Sequence, residues 1–454
     1  MNRTLIDYYR CPEEFATIFL SPNSSRPSDY SGFGTNPIGH GSVMERMLCA
    51  NPAQRLRDAF EDAQVEPGKV VLSFNPDEAI DNLRFEQYCT EKGTSLAGEA
   101  IASIYYMVRP LLGVPIRRHF QRFRLRDWRA AVFPAWPVDR TTEQVHEMLL
   151  HLCLRAHAGV EIPFIWFWPD GFSSCIAITH DVETARGRDF CATLMDIDDH
   201  FGIKSSIQVV PEGRYSLPPS FLKSVRARGF ELNIHDLNHD GRLFASEQQF
   251  RERASRINQH AKRLGAQGFR SGVLYRNLEW YDAFDLSYDM SVPNTARLDP
   301  QRGGCCTVMP YFKGKILEIP LTTTQDYTLL HILNDYSLKL WHQQLDIIGS
   351  SHGVATFNIH PDYVIETKAQ HLYIQLLQHV EQLRDQHKVW IALPGEIAKW
   401  WRHRAEMRLV HSAGKWKIEG PDADRARLAY SRLRNGELEY SWSGQRQHQQ
   451  LQAR

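Results

Sequence analysis

The sequence has neither a membrane or secretion signal nor an excess of charge of one sign. Its 454 residues contain no run of 18 apolar residues, so we expect no helix that crosses a membrane. The N-terminal stretch carries Asp7, Glu13 and Glu14 and lacks the unbroken apolar core of a secretory signal, which predicts a cytoplasmic location. Lys plus Arg and Asp plus Glu are equal at 53 each, so no overall field would attract nucleic acid, and we expect no nucleic-acid partner.

Cysteine is present, but not in the patterns that would define a scaffold. The eight cysteines are scattered along the chain without a C-x-x-C pair, which fits neither a disulfide framework nor a zinc ribbon. We therefore expect reduced thiols. An apolar content of 43% is enough for a large core, and the length leaves room for two or three units.

The N-terminal third differs in composition from the rest. Residues 1–50 are rich in Pro, Ser, Gly and Asn and predict an extended lead-in, whereas residues 51–170 predict a mixed helical N-terminal region. Between Arg109 and Arg129 lie seven arginines among apolar side chains, with Asp127 as the only acid. This segment predicts either peripheral contact with an anionic membrane surface or a solvated basic helix face that pairs with acids elsewhere.

Residues 171–401 alternate short apolar runs with stretches of helical pattern. Such alternation predicts parallel β/α construction, in which the carboxyl ends of the strands gather at one face. Residues 402–443 contain short β-like runs, a helical stretch Asp422–Leu433 and an Asn-Gly turn, and predict a small β-rich appendix. The polar tail 444–454 is predicted to be disordered.

Four of the predicted strands end on residues that can carry chemistry. Counting the apolar runs of residues 171–401 in chain order, Asp181 and Glu183 follow the first run and His235 and His239 follow the third. Arg270 follows the fourth run, and His360 follows the run that begins at Val354. Two histidines and a carboxylate, with one further histidine, are the side chains that a metalloenzyme needs. The sequence therefore predicts a metal site at the strand ends.

The spacing of His235 and His239 supports this prediction. Side chains at i and i+4 lie on one side of a helix, or of a helix-like loop that leaves a strand, and both imidazoles could reach one cation. In a chain with 20 histidines such pairs also arise by chance, and the spacing is ordinary on helix surfaces. The convergence of the other strand-end residues favours the metal-binding interpretation.

At these positions the sequence resembles the polysaccharide deacetylase (NodB-homology) family. Thr179–Glu183 (Thr-His-Asp-Val-Glu) resembles the first family motif, Thr-Phe-Asp-Asp-Gly, and Asn233–His239 is similar to the second, His-(Ser/Thr)-x-x-His. Gly268–Arg270 resembles the start of the third motif, Arg-x-Pro-Tyr, and Phe357–Pro361 occupies the place of the fifth, a strand-terminal histidine. Order and spacing agree over about half of the chain.

The resemblance implies a distorted (β/α)7 barrel that binds one divalent metal ion, usually Zn²⁺, and removes an N-acyl group from a sugar or glycan substrate. It makes His235 and His239 metal ligands and Asp181 the catalytic base. Arg270 would hold that base, and His360 would protonate the leaving amine. The implied activity is a carbon–nitrogen hydrolase of surface polysaccharide metabolism.

The first motif departs from the family pattern. Val182 stands where the family has its aspartate ligand, and a valine cannot coordinate a metal. Either Glu183 replaces that ligand while Asp181 is the base, or Asp181 binds the metal and Glu183 is the base. In the second motif Asp236 replaces a hydroxyl residue, and it could accept a hydrogen bond from a ligand histidine.

Two further motifs are incomplete. The Pro-Tyr of the third motif is replaced, since Ser271–Val273 follows the arginine. For the fourth motif, whose acid tunes the catalytic histidine, Glu318 and Asp326 are the candidates, although a strand end and a helix cap explain them equally well.

Three alternative hypotheses remain open at this point. The same site could serve an amidohydrolase for a small amide without a sugar. A non-catalytic glycan-binding or scaffold protein could have kept the barrel and lost the metal. Two histidines and a carboxylate also suit Fe²⁺, Co²⁺ and Ni²⁺ as well as Zn²⁺.

Overall fold

The computed structural model describes residues 3–21, 51–89 and 128–442. Residues 22–50 of the predicted lead-in, the arginine-rich segment up to Asp127 and the predicted tail 444–454 lie outside the described residues.

The N-terminal region combines helices with a small sheet. In its three-stranded sheet, the first strand runs parallel to the third and the second antiparallel to it. The second and third helices begin at asparagines whose side chains accept a backbone N–H, each followed by a proline in the first turn. The elements are α1 (Thr4–Tyr9), β1 (Ile18–Leu20), α2 (Pro52–Glu61), β2 (Gln64–Glu66), β3 (Lys69–Leu72), α3 (Pro76–Arg84), α4 (Thr141–Ala156) and β4 (Ile162–Ile165).

Within the predicted extended lead-in, residues 3–21 contain a short helix and a short strand that pack on the N-terminal region. Helix α1 buries Leu5 and Tyr9 in the same apolar core as α4, and β1 pairs with β3. A helix of six residues is too short to show a clear periodicity in the sequence. Its stability comes from tertiary packing, which the sequence pattern does not reveal.

The second half of the chain is a curved, mostly parallel sheet surrounded by helices. Seven parallel strands lie in the order β11-β9-β8-β7-β6-β5-β12, with β10 antiparallel at one edge and β13 beside the first residues of β5. This arrangement confirms the predicted distorted (β/α)7 barrel. Its strands are β5 (Ser174–Val182), β6 (Ser206–Val209), β7 (Glu231–His235), β8 (Gly268–Arg270), β9 (Tyr288–Asp289), β10 (Tyr311–Lys313), β11 (Ile316–Glu318), β12 (Val354–Asn358) and β13 (Val389–Ile391). Its helices are α5 (Ala185–His200), α6 (Pro219–Ala227), α7 (Glu247–Leu264), α8 (Lys339–Ser350), α9 (Pro361–Val364), α10 (Thr367–Asp385) and α11 (Pro394–Glu406).

Burial on both faces explains why the barrel strands could be found in the sequence. All nine residues of β5 are buried, so the strand reads as an apolar run up to the polar residues at its end. The gap between β11 and β12 is bridged by side chains. Thr322 Oγ1 donates to the carbonyl of Val354 (2.7 Å), and Thr323 Oγ1 donates to that of Thr356 (2.8 Å). These threonines satisfy backbone groups that a further strand would otherwise pair.

The C-terminal segment is built from β-strands, one of which lies where the sequence predicted a helix. It consists of the hairpin β14 (Arg408–Ser412) and β15 (Lys415–Glu419) and the hairpin β16 (Leu428–Arg434) and β17 (Glu437–Trp442). The second half of the predicted helix Asp422–Leu433 belongs to strand β16, which pairs antiparallel with β4. The Asn435-Gly436 turn joins β16 to β17 with φ of 53° and 84°, as a two-residue hairpin requires.

Two further features of the described residues are the state of the cysteines and the length of the helices. The seven cysteines within the described residues are free thiols. None of the described helices is both long and apolar enough to cross a membrane.

Candidate metal centre

The structure brings the predicted site residues together at the carboxyl edge of the sheet. They come from the ends of β5, β7 and β8 and from the residue that follows Ile359 after β12. The six residues are Asp181, Glu183, His235, His239, Arg270 and His360, and all are buried except Glu183, whose side chain is 24% exposed.

Strand alternation explains why Val182 takes no part. Successive side chains of a strand point to opposite faces, so Asp181 and Glu183 can share one face while Val182 points to the other. Val182 is fully buried in an apolar cluster with Ile207 and Val209. Its replacement of the family's aspartate therefore leaves the carboxylates on either side of it at the site.

Glu183, His235 and His239 form a group that could hold a metal ion. One ligand atom from each residue lies within 4.8 Å of the others, and Nε2 of His239 is 3.1 Å from Oε1 of Glu183. The Nε2 atoms of both histidines are buried and make no hydrogen bond of regular geometry, although that of His239 faces the Glu183 carboxylate as an ion pair. Buried polar atoms without a partner are costly, so a cation at this position would satisfy both. The donor set fits a divalent metal ion.

The environment of His235 orients its ring for ligation. Its Nδ1 lies 3.2 Å from the main-chain carbonyl oxygen of Arg270, and a bond donated there leaves the lone pair on Nε2. The hydrogen bond from a ligand histidine that the sequence suggested for Asp236 is not present among the described residues. Asp236 adopts a positive φ of 58°, and its Oδ1 accepts the backbone N–H of Leu237 instead. Burial lowers the pKa of His235, which favours the neutral form that a metal requires.

His239 is held differently. It also has a positive φ, 53°, and the loop after β7 is not helical at this position. The guanidinium of Arg214, an exposed residue, donates to its Nδ1 (3.0 Å). Burial opposes a positive charge on His239, but the carboxylate of Glu183 raises its pKa. Ligation through Nε2 requires a proton on Nδ1, and Arg214 must then move away because it cannot accept.

Asp181 is fixed by two donors. Arg270 Nη1 donates to Oδ1 (3.1 Å) and also to Thr179 Oγ1 (2.8 Å), while Asn358 Nδ2 donates to Oδ2 (2.9 Å). Burial raises the pKa of Asp181, but Arg270 and the neighbouring histidines lower it to about 2. Asp181 is therefore an ionised carboxylate of defined orientation, 3.9 Å from His235 Nε2.

His360 is paired with one of the two fourth-motif candidates. Asp326 Oδ1 lies 2.6 Å from His360 Nδ1, and Oδ2 accepts the backbone N–H of His360 (2.7 Å). Burial lowers the pKa of His360, but the Asp326 carboxylate raises it to about 10. Glu318, the other candidate, accepts the N–H of Val292 instead and makes no contact with His360. The Nε2 of His360 points into the site, 3.7 Å from Oε1 of Glu183.

Three contributors were missed in the sequence. Thr179 and Asn358 each precede a predicted site residue by two positions on a strand, and the alternation of side chains was a signal for both. Arg214 lies in the loop after β6, and no pattern in the sequence indicates its contact with His239.

Comparison with known proteins finds similarity to solved structures over about half of the chain. No protein-family model and no curated protein matches the sequence. Among solved structures, a Mycobacterium smegmatis protein described as a polysaccharide deacetylase is 18% identical, with a TM-score of 0.43, over 52% of this chain and 93% of its own. A Pseudomonas aeruginosa PAO1 protein with the same description is 13% identical, with a TM-score of 0.41, over 52% and 93%. PuuE allantoinase is 13% identical, with a TM-score of 0.40, over 52% and 92%. Each of these proteins is similar to this chain over about half of its length, and the chemistry of this chain is argued from the geometry of its own site.

Proposed function

We propose that the chain is a metal-dependent hydrolase that removes an N-acyl group from an amino sugar or glycan precursor. One observation supports this most strongly: the buried Nε2 atoms of two histidines converge on a carboxylate, and an arginine-held aspartate and an aspartate-paired histidine lie 3.9 Å and 3.7 Å from atoms of this group. This combination supplies metal ligands, a base and an acid within one site.

The ligand set is Glu183, His235 and His239, and Zn²⁺ is the first candidate ion. A divalent ion held there would act as a Lewis acid toward the acyl carbonyl and lower the pKa of a water molecule. The spacing of the donor atoms favours Glu183 as the ligand over the alternative in which Asp181 coordinates.

Asp181 is the base in this assignment. Its low pKa keeps it ionised at neutral pH, so it is free to accept a proton from a water molecule whose own pKa a bound metal ion would lower, and its bonds from Arg270 and Asn358 keep its oxygens in place. A base held in one orientation contributes because the proton transfer needs no rearrangement of the carboxylate.

His360 is the acid. With a pKa raised to about 10 it is protonated at neutral pH, and Nε2 is the atom left to donate because Nδ1 is bonded to Asp326. Donation to the nitrogen of the breaking amide bond lets the amine leave as a neutral molecule.

The substrate class can be tested directly. Zn²⁺-treated protein is incubated with N-acetylated amino sugars, free and nucleotide-linked, and with a simple acyl amide that lacks a sugar, and the released acid is measured. We expect acetate from a sugar, and its loss in Asp181→Asn and His360→Gln variants that still bind metal. Turnover of the simple amide alone would favour the amidohydrolase hypothesis, and no turnover by a metal-loaded protein would favour the binding or scaffold hypothesis.

Two expectations from the sequence remain predictions. One is the cytoplasmic location. The other is contact of Arg109 to Arg129 with an anionic membrane surface, and sedimentation with anionic vesicles that is abolished by salt would support it.

A further inference from the structure

The loop that carries Glu183 is held from two sides by side chains that no motif indicates. Strand β5 ends at Val182, and helix α5 begins at Ala185, so Glu183 lies in a two-residue connection between them. The position of a ligand side chain in such a connection depends on how firmly its backbone is held.

Tyr215 holds the residue before Glu183. Its hydroxyl donates to the main-chain carbonyl of Val182 (2.6 Å) and accepts the backbone N–H of Val210 (3.0 Å). One hydroxyl therefore joins the end of β5 to the chain that leaves β6. The bond fixes the carbonyl of the peptide group whose N–H belongs to Glu183.

Asp362 holds the other side of the same peptide group. Its Oδ2 accepts the backbone N–H of Glu183 (3.3 Å), and its Oδ1 accepts from the hydroxyl of Thr184. Asp362 lies in helix α9, two residues after His360, so one short segment contacts the Glu183 loop and also carries the proposed acid.

Gly187 provides the room for the Asp362 carboxylate. A Cβ atom at position 187 would overlap both carboxylate oxygens and the carboxyl carbon of Asp362. The backbone at Gly187 is ordinary α-helix, so alanine is compatible with its conformation. A Gly187→Ala change would therefore displace the Asp362 side chain without altering Asp362 itself.

From these contacts we propose that Tyr215 and Asp362 are positioning residues that hold Glu183 within reach of His239 as a metal ligand. The proposal rests on the proposed function, because it takes Glu183 as a ligand. In the family motif the metal ligand is an aspartate directly after the position of Asp181, whereas here it is a glutamate two positions after Asp181. Tyr215 and Asp362 hold the backbone so that this glutamate can reach the metal. Outer contacts of this kind change metal affinity by about 10- to 100-fold when they are removed.

The test is Zn²⁺ affinity, measured by competition with a chromophoric chelator on the full chain. The variants are Tyr215→Phe, Asp362→Ala and Gly187→Ala, with Glu183→Ala as the reference for a lost ligand. Asp362→Asn keeps an acceptor for the Glu183 N–H and is the conservative variant. Asp189→Asn is the matched control, since it removes a carboxylate from the exposed side of the same helix. Unfolding midpoints in excess chelator identify any variant that has lost its fold.

We expect Tyr215→Phe, Asp362→Ala and Gly187→Ala each to weaken Zn²⁺ binding by about tenfold or more. Asp362→Asn should retain most of the affinity, and Asp189→Asn should match the wild type. A wild type that binds Zn²⁺ tightly, loses it in Glu183→Ala and keeps it in these three variants would overturn the proposal alone. Unchanged binding in Glu183→Ala would overturn it by making Asp181 the ligand. A wild type without Zn²⁺ affinity would overturn the proposed function as well.

Discussion

The ion pair between Arg270 and Asp181 gives a quantitative prediction for the fold and the site together. Both side chains are buried, at 0% and 2% exposure, and Arg270 also donates to the carbonyl of Met290. Replacing Arg270 by methionine keeps much of the volume but leaves the Asp181 carboxylate without its charged partner. Breaking a buried pair in this way costs about 3–5 kcal/mol of unfolding free energy at neutral pH.

The pH dependence of this loss follows from the pKa of Asp181. In the wild type that pKa is about 2, below the value of about 3.9 in an unfolded chain, so the shift stabilises the fold by about 2–3 kcal/mol. This stability is fully present above pH 4 and is lost as the pH falls toward 2. Without Arg270, burial raises the pKa of Asp181, so the variant takes up a proton at a higher pH. The difference between the two proteins should therefore be largest at neutral pH and shrink in mild acid.

The assay is urea unfolding followed by tryptophan fluorescence, in excess chelator so that no bound metal contributes. The double variant Arg270→Met/Asp181→Asn is the control, and it should recover most of the lost stability because no unpaired charge remains. A loss below about 1 kcal/mol at neutral pH, or a loss of the same size at pH 4 as at pH 7, would refute the ion-pair account.

Three further predictions concern the neighbours of the site. Asp326→Asn should lower the pKa of His360 from about 10 toward the ordinary value of about 6.5, as an NMR titration of the ring would measure. The pair of His360 and Asp326 stabilises the fold below about pH 6.5, and this stabilisation is lost as the pH rises through 10. It should be smaller in the same variant. An unchanged titration of His360 would contradict the pairing. Val182→Asp should cost about 3 kcal/mol or more in urea unfolding and not tighten Zn²⁺ binding, because it buries a carboxylate in an apolar cluster; a tighter site would show that the side chain reaches the metal. Arg214→Met should strengthen Zn²⁺ binding in chelator competition, because the donor that opposes the ligating tautomer is removed; weaker binding would mean that Arg214 supports the site.

The barrel could be predicted because its strands are buried on both faces. Strand β5 is an apolar run that ends in polar residues, and this pattern marks both the strand and the site. Strand β16 was mistaken for a helix because its residues, such as Ala429 and Leu433, are good helix formers. Pairing with β4 and β17 overrides that local preference, and no local pattern contains this information.

In the site, too, some features could be predicted from the sequence and others depend on tertiary packing. Strand ends bring Asp181, His235 and Arg270 together in any parallel barrel, so the sequence order was enough to predict their convergence. The proposal of Glu183 over Asp181 as the ligand rests on the spacing of donor atoms in three dimensions, which the sequence does not contain. The sequence left Asp326 and Glu318 as equal candidates for the partner of His360, and the structure is needed to select Asp326. Arg214 lies in a loop whose course depends on tertiary packing, so only the structure associates it with His239.

The central claim is that Glu183, His235 and His239 hold one metal ion. Elemental analysis of the purified protein, compared with the His235→Ala/His239→Ala double variant, tests it most directly. We predict about one divalent ion per wild-type chain and almost none in the variant, with Zn²⁺ the expected metal. A folded wild type that holds no metal, even after incubation with Zn²⁺, would contradict the claim.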